Sequence, residues 1–200
     1  MIGNGCMNNS IERLEQTFYV PRLIAATYAL VTKVDWSDNN QIGLSCEYDD
    51  RAFGTQILAH GNVTRPSREG GRIVRKDEWY DTLIPEFETT YFAEIWNKIH
   101  EQTGQVWRMR LMRLQPKGCL SFHEDFYKRL HIPIVTNSRS FFFINETNEI
   151  PWITDDLRVP SIQTYHLPAD GGLYSVDTTK HHTVYNGGNT DRIHLVCSIK

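Results

Sequence analysis

Apolar residues in the second half of the chain recur in short runs separated by turn-forming residues. Eight such runs follow Gly104, and each has the length and composition of a β-strand. Turn residues stand between them, as in Pro116-Lys117-Gly118 and Asn186-Gly187-Gly188-Asn189. The predicted strands are 105–114, 119–124, 129–136, 140–144, 161–168, 172–177, 182–186 and 192–199. Eight short strands of this kind predict a mostly β fold, a double-stranded β-helix or jelly roll.

A helical period precedes these strands. Between Pro85 and Gly104, apolar residues recur every four positions, and polar residues lie between them. The apolar positions are Phe87, Tyr91, Ile95 and Ile99. This period is that of an amphipathic α-helix, and glycine is typical of the position after a helix ends. We expect the aromatic stripe of this helix to pack on the outside of the sheet that follows.

The apolar residues nearest the N-terminus are also spaced as in helices. Asn9 to Glu12 carry the side chains of a capping box, which satisfies free backbone N–H groups at a helix start. Leu14, Phe18 and the run 22–33 then predict two short helices. A proline inside a helix breaks it, so we expect the two helices to be divided at Pro21.

Three further segments have weaker patterns. Alternation of apolar and polar residues from Ile42 to Tyr48 predicts a strand. The long segment from Asn145 to Pro160 predicts a loop, which would lie at the rim of a functional site in the jelly roll. Glycine and proline interrupt any period from His60 to Arg72, which predicts another loop. Basic residues surround this loop, at Arg65, Arg68, Arg72, Arg75 and Lys76. A solvated surface loop and a substrate-binding lid both fit that pattern.

The length of the chain indicates one compact domain. Its 200 residues suffice to bury a sizeable core. The change of pattern near Gly104 divides the chain into two parts. Residues 1–104 are predicted to form an elaboration of helices and strands, packed on a jelly-roll catalytic core at residues 105–200.

Charge and cysteine content narrow the class of protein. The formal net charge of −3 gives no electrostatic reason to expect binding to nucleic acid or to an anionic membrane. The four cysteines are scattered, without a Cys-x-x-Cys pair, which is typical of free thiols in a reducing compartment. No stretch has the pattern of a signal peptide or a membrane span. A soluble, cytoplasmic enzyme acting on a small molecule or a peptide is therefore expected.

The candidate chemistry is concentrated in the stretch from Ser121 to Ile134. Residues two apart on a strand point the same way, so His123 and Asp125 present an imidazole and a carboxylate to one point. A third metal ligand would come from the pair His181-His182. Adjacent strand residues face opposite sides of a sheet, so only one of these two histidines can point inward. Two histidines and one carboxylate leave coordination positions open and suit a non-haem Fe(II) oxygenase.

Four short motifs now carry a resemblance to a known family. They are His-x-Asp at 123–125, Arg-x-His-x-Pro at 129–133, His-x-Val-x-Asn at 182–186 and Arg-Ile-His-Leu at 192–195. In this order, the motifs resemble those of the aspartyl/asparaginyl β-hydroxylase family of Fe(II)/2-oxoglutarate oxygenases. The resemblance includes the family's small proline hydroxylase relatives and covers roughly residues 105 to 200. It implies a cupin-like jelly roll, and Asp125 is typical of the members that have a complete triad.

The resemblance also implies roles for individual residues. His123, Asp125 and His182 would be the catalytic metal ligands, since both the His-x-Val-x-Asn motif and the ten-residue step to Arg192 select His182 over His181. Arg192 would anchor the distal carboxylate of 2-oxoglutarate. Two more residues, Arg129 and His131, would meet the cosubstrate or the carboxylate of the substrate. Asn186 and Asp177 flank the distal ligand and are candidates for orienting it.

The implied cofactors are Fe(II), 2-oxoglutarate as cosubstrate, and O2. The implied reaction hydroxylates an unactivated carbon and converts 2-oxoglutarate to succinate and CO2. The substrate would be a free amino acid or an Asp or Asn side chain in a peptide, and the lack of a visible peptide-docking repeat favours the smaller substrate. A jelly-roll module that binds a metal or a small acid without turnover is the alternative from another class.

Overall fold

The computed structural model describes residues 10–37, 40–47, 77–147 and 162–200, together with the backbone of 64–66 and 72–74. These ranges contain two α-helices, α1 (Val20–Val31) and α2 (Tyr91–Thr103), and thirteen strands. The strands are β1 (Ile11–Thr17), β2 (Gln41–Gly43), β3 (Ser45–Cys46), β4 (Thr64–Pro66), β5 (Arg72–Val74), β6 (Thr82–Leu83), β7 (Trp107–Leu114), β8 (Lys128–Val135), β9 (Ser140–Asn145), β10 (Ile162–Tyr165), β11 (Gly172–Val176), β12 (His182–Asn186) and β13 (Arg192–Ile199).

Two antiparallel sheets form the jelly roll. The major sheet has the strand order β1-β11-β8-β13-β7-β2, and the minor sheet has the order β10-β9-β12. Residues 118–123 extend the minor sheet along β12, since the backbone N–H of Asn186 donates to the carbonyl of Gly118 at 2.9 Å and Cys119 pairs with Tyr185. With this segment included, the core strands distribute between the two sheets as in a double-stranded β-helix. The predicted mostly β jelly-roll fold is confirmed.

Alternation along the central strands decides what faces the cavity and what faces the helices. In β8, Leu130, Ile132 and Ile134 join the larger apolar cluster, whereas the intervening Arg129 and His131 line the interior cavity. β13 and β7 follow the same rule. These strands therefore bury residues on both faces, with the apolar cluster on one side and the cavity, which the buried arginines line, on the other.

Helix α2 covers the outer face of the major sheet. Its buried residues Phe92, Ile95 and Ile99 belong to the same apolar cluster as the outward residues of β8. The hydroxyl of Thr90 caps the helix start by accepting from the backbone N–H of Phe92, and Gly104 ends it in the left-handed region at φ 74°. The predicted end at Gly104 is correct. The predicted start is too early, because Pro85–Phe87 forms a separate 3-10 turn.

Of the two helices predicted near the N-terminus, the second forms as α1 and the first is wrong. Residues 11–17 form strand β1, which is an edge strand of the major sheet and pairs with β11, with Ile11 opposite Val176. Pro21 does not divide two helices, because it lies in the first turn of α1. A proline is tolerated there, since the first N–H groups of a helix have no intrahelical partner.

The remaining predictions have mixed outcomes. Of the predicted strand 42–48, residues 42–43 and 45–46 lie in β2 and β3, and Tyr48 lies outside the described residues. Within the predicted 60–72 loop, residues 64–66 instead form strand β4, and residue 72 begins β5, with which β4 pairs. The other residues of that loop lie outside the described residues. So do residues 148–160 of the predicted rim loop. Among the described helices, none combines the length and apolar character that crossing a membrane requires.

Candidate metal centre

His123, Asp125 and His182 converge on one point. One ligand atom from each lies within 4.8 Å of the other two. The two histidines are directly paired on neighbouring segments of the minor sheet. The backbone N–H of His123 donates to the carbonyl of His182 at 3.0 Å, and that of His182 donates to the carbonyl of His123 at 2.8 Å. Asp125 is placed by a hydrogen bond from its N–H to the carbonyl of Thr178 at 2.8 Å. Backbone pairing therefore holds all three side chains at the mouth of the barrel.

Hydrogen bonds determine which imidazole nitrogen is free. Nδ1 of His123 lies 2.7 Å from the carbonyl oxygen of Ser121, and Nδ1 of His182 lies 2.9 Å from that of Lys180. A carbonyl only accepts, so Nδ1 carries the proton in both rings and Nε2 keeps the lone pair. Burial lowers the pKa of His182, which favours the neutral imidazole that a metal binds.

Asp125 is held as a carboxylate. Burial by itself would raise its pKa, but the charge of Arg129 and a hydrogen bond from that side chain lower it below the ordinary value. Nε of Arg129 donates to Oδ2 of Asp125 at 3.1 Å. Nε2 of His182 lies 3.9 Å from the same oxygen. The three side chains thus offer two imidazole nitrogens and one carboxylate oxygen.

The paired histidines are separated by the pleat of the strand. His182 faces the metal site, whereas Nδ1 of His181 lies 2.5 Å from Oε1 of Glu124. The His181 ring also stacks on Phe122, with 5.9 Å between ring centroids. The structure therefore brings His182, and not His181, to the other two ligands.

A cavity of about 720 Å³ adjoins the three ligands. Its lining includes the arginines Arg108, Arg110, Arg129 and Arg192. Apolar residues from both sheets, among them Phe142, Val184 and Val196, form other parts of the wall. A cavity of this size accommodates a small dicarboxylate together with an amino acid.

Arg192 has the surroundings of an anion-binding residue. It is buried, its Nη2 lies 3.1 Å from Nδ1 of His194, and its guanidinium carbon lies 5.0 Å from the ring centroid of Phe142. No carboxylate among the described residues pairs with it, and the neighbouring Asp191 instead lies 4.0 Å from Arg113. Burial lowers the pKa of Arg192 to about 9. A buried cation without a carboxylate is costly unless it binds an anion.

His131 and His194 add unused polar atoms beside Arg192. Neither ring nitrogen of His131, nor Nε2 of His194, has a hydrogen-bond partner within the described ranges. The two rings contact each other at 5.6 Å between centroids. Burial lowers the pKa of both well below the ordinary value, so both are neutral. Such buried, unsatisfied nitrogens fit a bound group that carries carboxylate or hydroxyl oxygens.

Arg129 lines the cavity but is already engaged. Its guanidinium bonds to Asp125, to Asp77 at 2.7 Å, and to the hydroxyl of Ser198. These contacts make it an orienting partner of the carboxylate ligand. A role in binding the cosubstrate or the substrate stays a prediction for Arg129, as it does for His131.

Asn186 and Asp177 do not contact His182. The amide nitrogen of Asn186 donates to the carbonyls of Leu114, Gln115 and Thr190, which ties together the loops at the other end of β12. The carboxylate of Asp177 accepts from the hydroxyl of Thr179. The carbonyl of Lys180 orients the distal histidine instead.

Sequence reasoning missed three buried residues of the site. Arg108 and Arg110 alternate with apolar residues in β7, which signals that they face the interior. Asp77, which pairs with Arg108 and Arg129, lies in a short 3-10 turn and has no local signal. The local sequence of an aspartate in an exposed surface turn does not differ from that of an aspartate buried against two arginines, so the burial of Asp77 could not be predicted.

Comparisons with known proteins agree with this geometry. A family model described as aspartyl/asparaginyl beta-hydroxylase matches residues 86–200. Among curated protein sequences, none matched the chain.

Solved structures provide weaker likenesses. A cupin domain from Bordetella pertussis Tohama I is 18% identical, with 46% of this chain and 80% of that chain covered and a TM-score of 0.33. A 2OG-Fe(II) oxygenase family oxidoreductase from Burkholderia pseudomallei is 15% identical, with 46% and 43% covered and a TM-score of 0.35. EvdMO1 is 12% identical, with 94% and 46% covered and a TM-score of 0.50. At these identities the likeness concerns the fold alone.

Proposed function

The chain belongs to the aspartyl/asparaginyl β-hydroxylase family, and we propose that it is an Fe(II)/2-oxoglutarate-dependent dioxygenase. Its reaction would hydroxylate an unactivated carbon of an amino acid, or of an Asp or Asn side chain in a peptide. The observation that carries the proposal is the convergence of His123, Asp125 and His182 beside a cavity that contains Arg192.

The donor set fits Fe(II). Two imidazole Nε2 atoms and one carboxylate on one side of an ion leave open positions, as in non-haem Fe(II) oxygenases. The carbonyls of Ser121 and Lys180 orient both rings through Nδ1. Metal-binding histidines commonly have such a hydrogen bond, and it raises the basicity of the ligating nitrogen.

The inner end of the cavity fits 2-oxoglutarate. A dianion needs a cation at its far carboxylate, and the buried Arg192 has no carboxylate partner among the described residues. His131 and His194 supply N–H groups that have no other partner in the described part of the chain. Arginine also suits this role because its planar fork pairs with both carboxylate oxygens.

When bound, Fe(II) with 2-oxoglutarate and O2 would supply the oxidative chemistry, which converts 2-oxoglutarate to succinate and CO2 and hydroxylates the substrate. The residues of this chain would bind, orient and shield the reactants. Phe142, Val184 and Val196 form an apolar wall that excludes water. Arg129 keeps Asp125 ionised and oriented.

The charges of the site support a substrate that carries a carboxylate. Arg108, Arg110, Arg129 and Arg192 are opposed by only Asp77 and Asp125 among the described residues at the cavity, which leaves two positive charges. The charges of a ferrous ion and of the 2-oxoglutarate dianion cancel. The excess positive charge therefore favours a substrate group that bears a carboxylate, such as the α-carboxylate of an amino acid or an acidic side chain.

Two measurements test the proposal. Under anaerobic conditions, the Fe(II) protein should acquire a weak visible charge-transfer band only after 2-oxoglutarate is added, and Asp125→Ala should remove it. A panel of free amino acids and of peptides containing Asp or Asn should then identify a substrate by succinate release above the uncoupled background. Metal binding without succinate formation for any member of the panel would instead indicate a binding module.

A further inference from the structure

Asp77 lies behind the metal site, outside the segment that matches the family model. It is buried in the 3-10 turn Asp77–Trp79, whereas the matched segment begins at residue 86. Its Oδ1 accepts from Nη1 of Arg108 at 2.9 Å. Its Oδ2 accepts from the hydroxyl of Ser198 at 2.6 Å and lies 2.7 Å from Nη1 of Arg129. All four side chains are buried.

A bulge in β7 brings these groups together. The pairing of β7 with β13 shifts register between Val196 and Ser198, and Arg108 has the left-handed φ of 47°. The backbone N–H of Arg108 donates to the carbonyl of Tyr80, just after the turn that carries Asp77. Bulges re-aim side chains, and non-glycine residues in the left-handed region concentrate at functional sites.

Arg129 connects Asp77 to the carboxylate ligand. Its Nη1 faces Asp77, and its Nε donates to Asp125. A guanidinium released from Asp77 could turn its full fork onto Asp125 and pair with both carboxylate oxygens. A carboxylate held in that way would have less capacity left for a metal.

Charge gives a second reason to expect that Asp77 favours metal binding. A divalent cation at the nearby ligands would be repelled by Arg108, Arg110 and Arg129, and the negative charge of Asp77 offsets part of that repulsion.

We propose that Asp77 is a positioning residue of the metal centre, which holds one side of the Arg129 guanidinium so that Asp125 remains available to the metal. This inference rests on the proposed function, because it needs a metal at the three ligands. It also assigns a role in the centre to the N-terminal half of the chain.

The test compares metal affinities. Asp77→Asn keeps the shape of the side chain and removes its charge. Loss of a direct outer partner of a metal ligand typically weakens metal binding by about 10- to 100-fold. Asp77 acts one contact further out, through Arg129, so we expect a loss toward the lower end of that range. Anaerobic calorimetric titration with Fe(II), and with Mn(II) as an air-stable probe, should show this loss when corrected for the folded fraction. Glu94→Gln is the matched control, since Glu94 pairs with Arg22 away from the site and should bind metal as the wild type does.

A double-mutant cycle separates positioning from a general loss of structure. If Asp77 acts through Arg129, then Asp77→Asn should lower Mn(II) affinity by a much smaller factor in an Arg129→Ala background, which keeps all three candidate ligands. The same fold-loss in both backgrounds would overturn the proposal. If Asp77→Asn does not fold, Asp77→Glu tests the same link, because it keeps the negative charge beside Arg108 and Arg129 and displaces only the carboxylate. It should weaken Mn(II) binding severalfold, and an unchanged affinity would contradict the inference.

The outcomes also distinguish the two proposals. Wild type that binds neither metal would overturn the proposed function, and the role of Asp77 with it. Wild type and Asp77→Asn that bind alike, while His182→Ala does not bind, would overturn only the role of Asp77.

Discussion

His123 and His182 are paired backbone to backbone, each donating its N–H to the carbonyl of the other. Their rings are consequently 4.5 Å apart between centroids, although 59 positions separate the two residues in the sequence. The relative position of the two rings is therefore fixed by backbone hydrogen bonds between strands and does not depend on long, flexible side chains. We therefore expect the two imidazoles to be preorganised before any metal binds.

The first prediction separates the two adjacent histidines. His182→Ala should lose Fe(II) binding and turnover, because it removes one of the three converging ligands. His181→Ala should fold and retain both, because the His181 ring contacts Glu124 and Phe122. Anaerobic metal titration of both variants checks this. Retention of iron by His182→Ala together with its loss in His181→Ala would place the ligand one position earlier.

The second prediction concerns Arg192. If its guanidinium pairs with the far carboxylate of 2-oxoglutarate, Arg192→Ala should cost about 2 to 5 kcal/mol of cosubstrate binding. This corresponds to a roughly 30-fold to several-thousand-fold weaker affinity. Arg192→Lys should recover only part of the loss, because a point charge cannot reproduce the forked contact. Titration of 2-oxoglutarate into the Fe(II) form of each variant measures the effect.

Arg113→Ala is the control for this series. Arg113 lies on the neighbouring strand and is not among the residues that line the described cavity, although its partner Asn40 is; its guanidinium also lies over the ring of Trp36. Its affinity for 2-oxoglutarate should match that of the wild type. Equal affinities in Arg192→Ala and the wild type would mean that another cation anchors the cosubstrate.

The third prediction is a pH dependence of stability. Burial alone would raise the pKa of Asp77, but the charges of Arg129, Arg108 and Arg110 lower it from 3.8 to about 2. A depressed folded-state pKa contributes stability that is complete above the unfolded pKa and is lost as the pH falls toward 2. The shift corresponds to about 2 kcal/mol. Urea unfolding of wild type and Asp77→Asn between pH 7 and pH 2 should show this part of their difference disappearing below about pH 4.

The fourth prediction tests the structural role of Asn186. Asn186→Ala should lower the free energy of unfolding by at least about 2 kcal/mol, because it leaves buried carbonyls without donors. Its side chain serves Leu114, Gln115 and Thr190 and does not touch His182. The folded variant should therefore bind Fe(II) with wild-type affinity. A large loss of metal affinity would restore Asn186 as an orienting partner of the ligand.

Much of the core fold followed from local patterns. The predicted strands at 182–186 and 192–199 coincide with β12 and β13, because short runs bounded by glycine and polar turns leave few other solutions. The convergence of the three candidate ligands was predictable for a related reason. His123 and Asp125 are two residues apart, and the pleat decides that only one residue of the 181–182 pair faces inward.

Contacts between distant segments decided the rest. Residues 11–17 have a helix-like spacing, yet they form β1 because the edge of β11 offers unpaired backbone groups. The sequence predicts that Arg129 meets the cosubstrate or the carboxylate of the substrate, and it gives no sign that the fold also places Asp77 and Asp125 within reach of the guanidinium. Asp77 itself meets Ser198 across 121 positions of sequence. Sequence periodicity records only which face of an element is buried, whereas the partner on that face is chosen by how the whole chain packs.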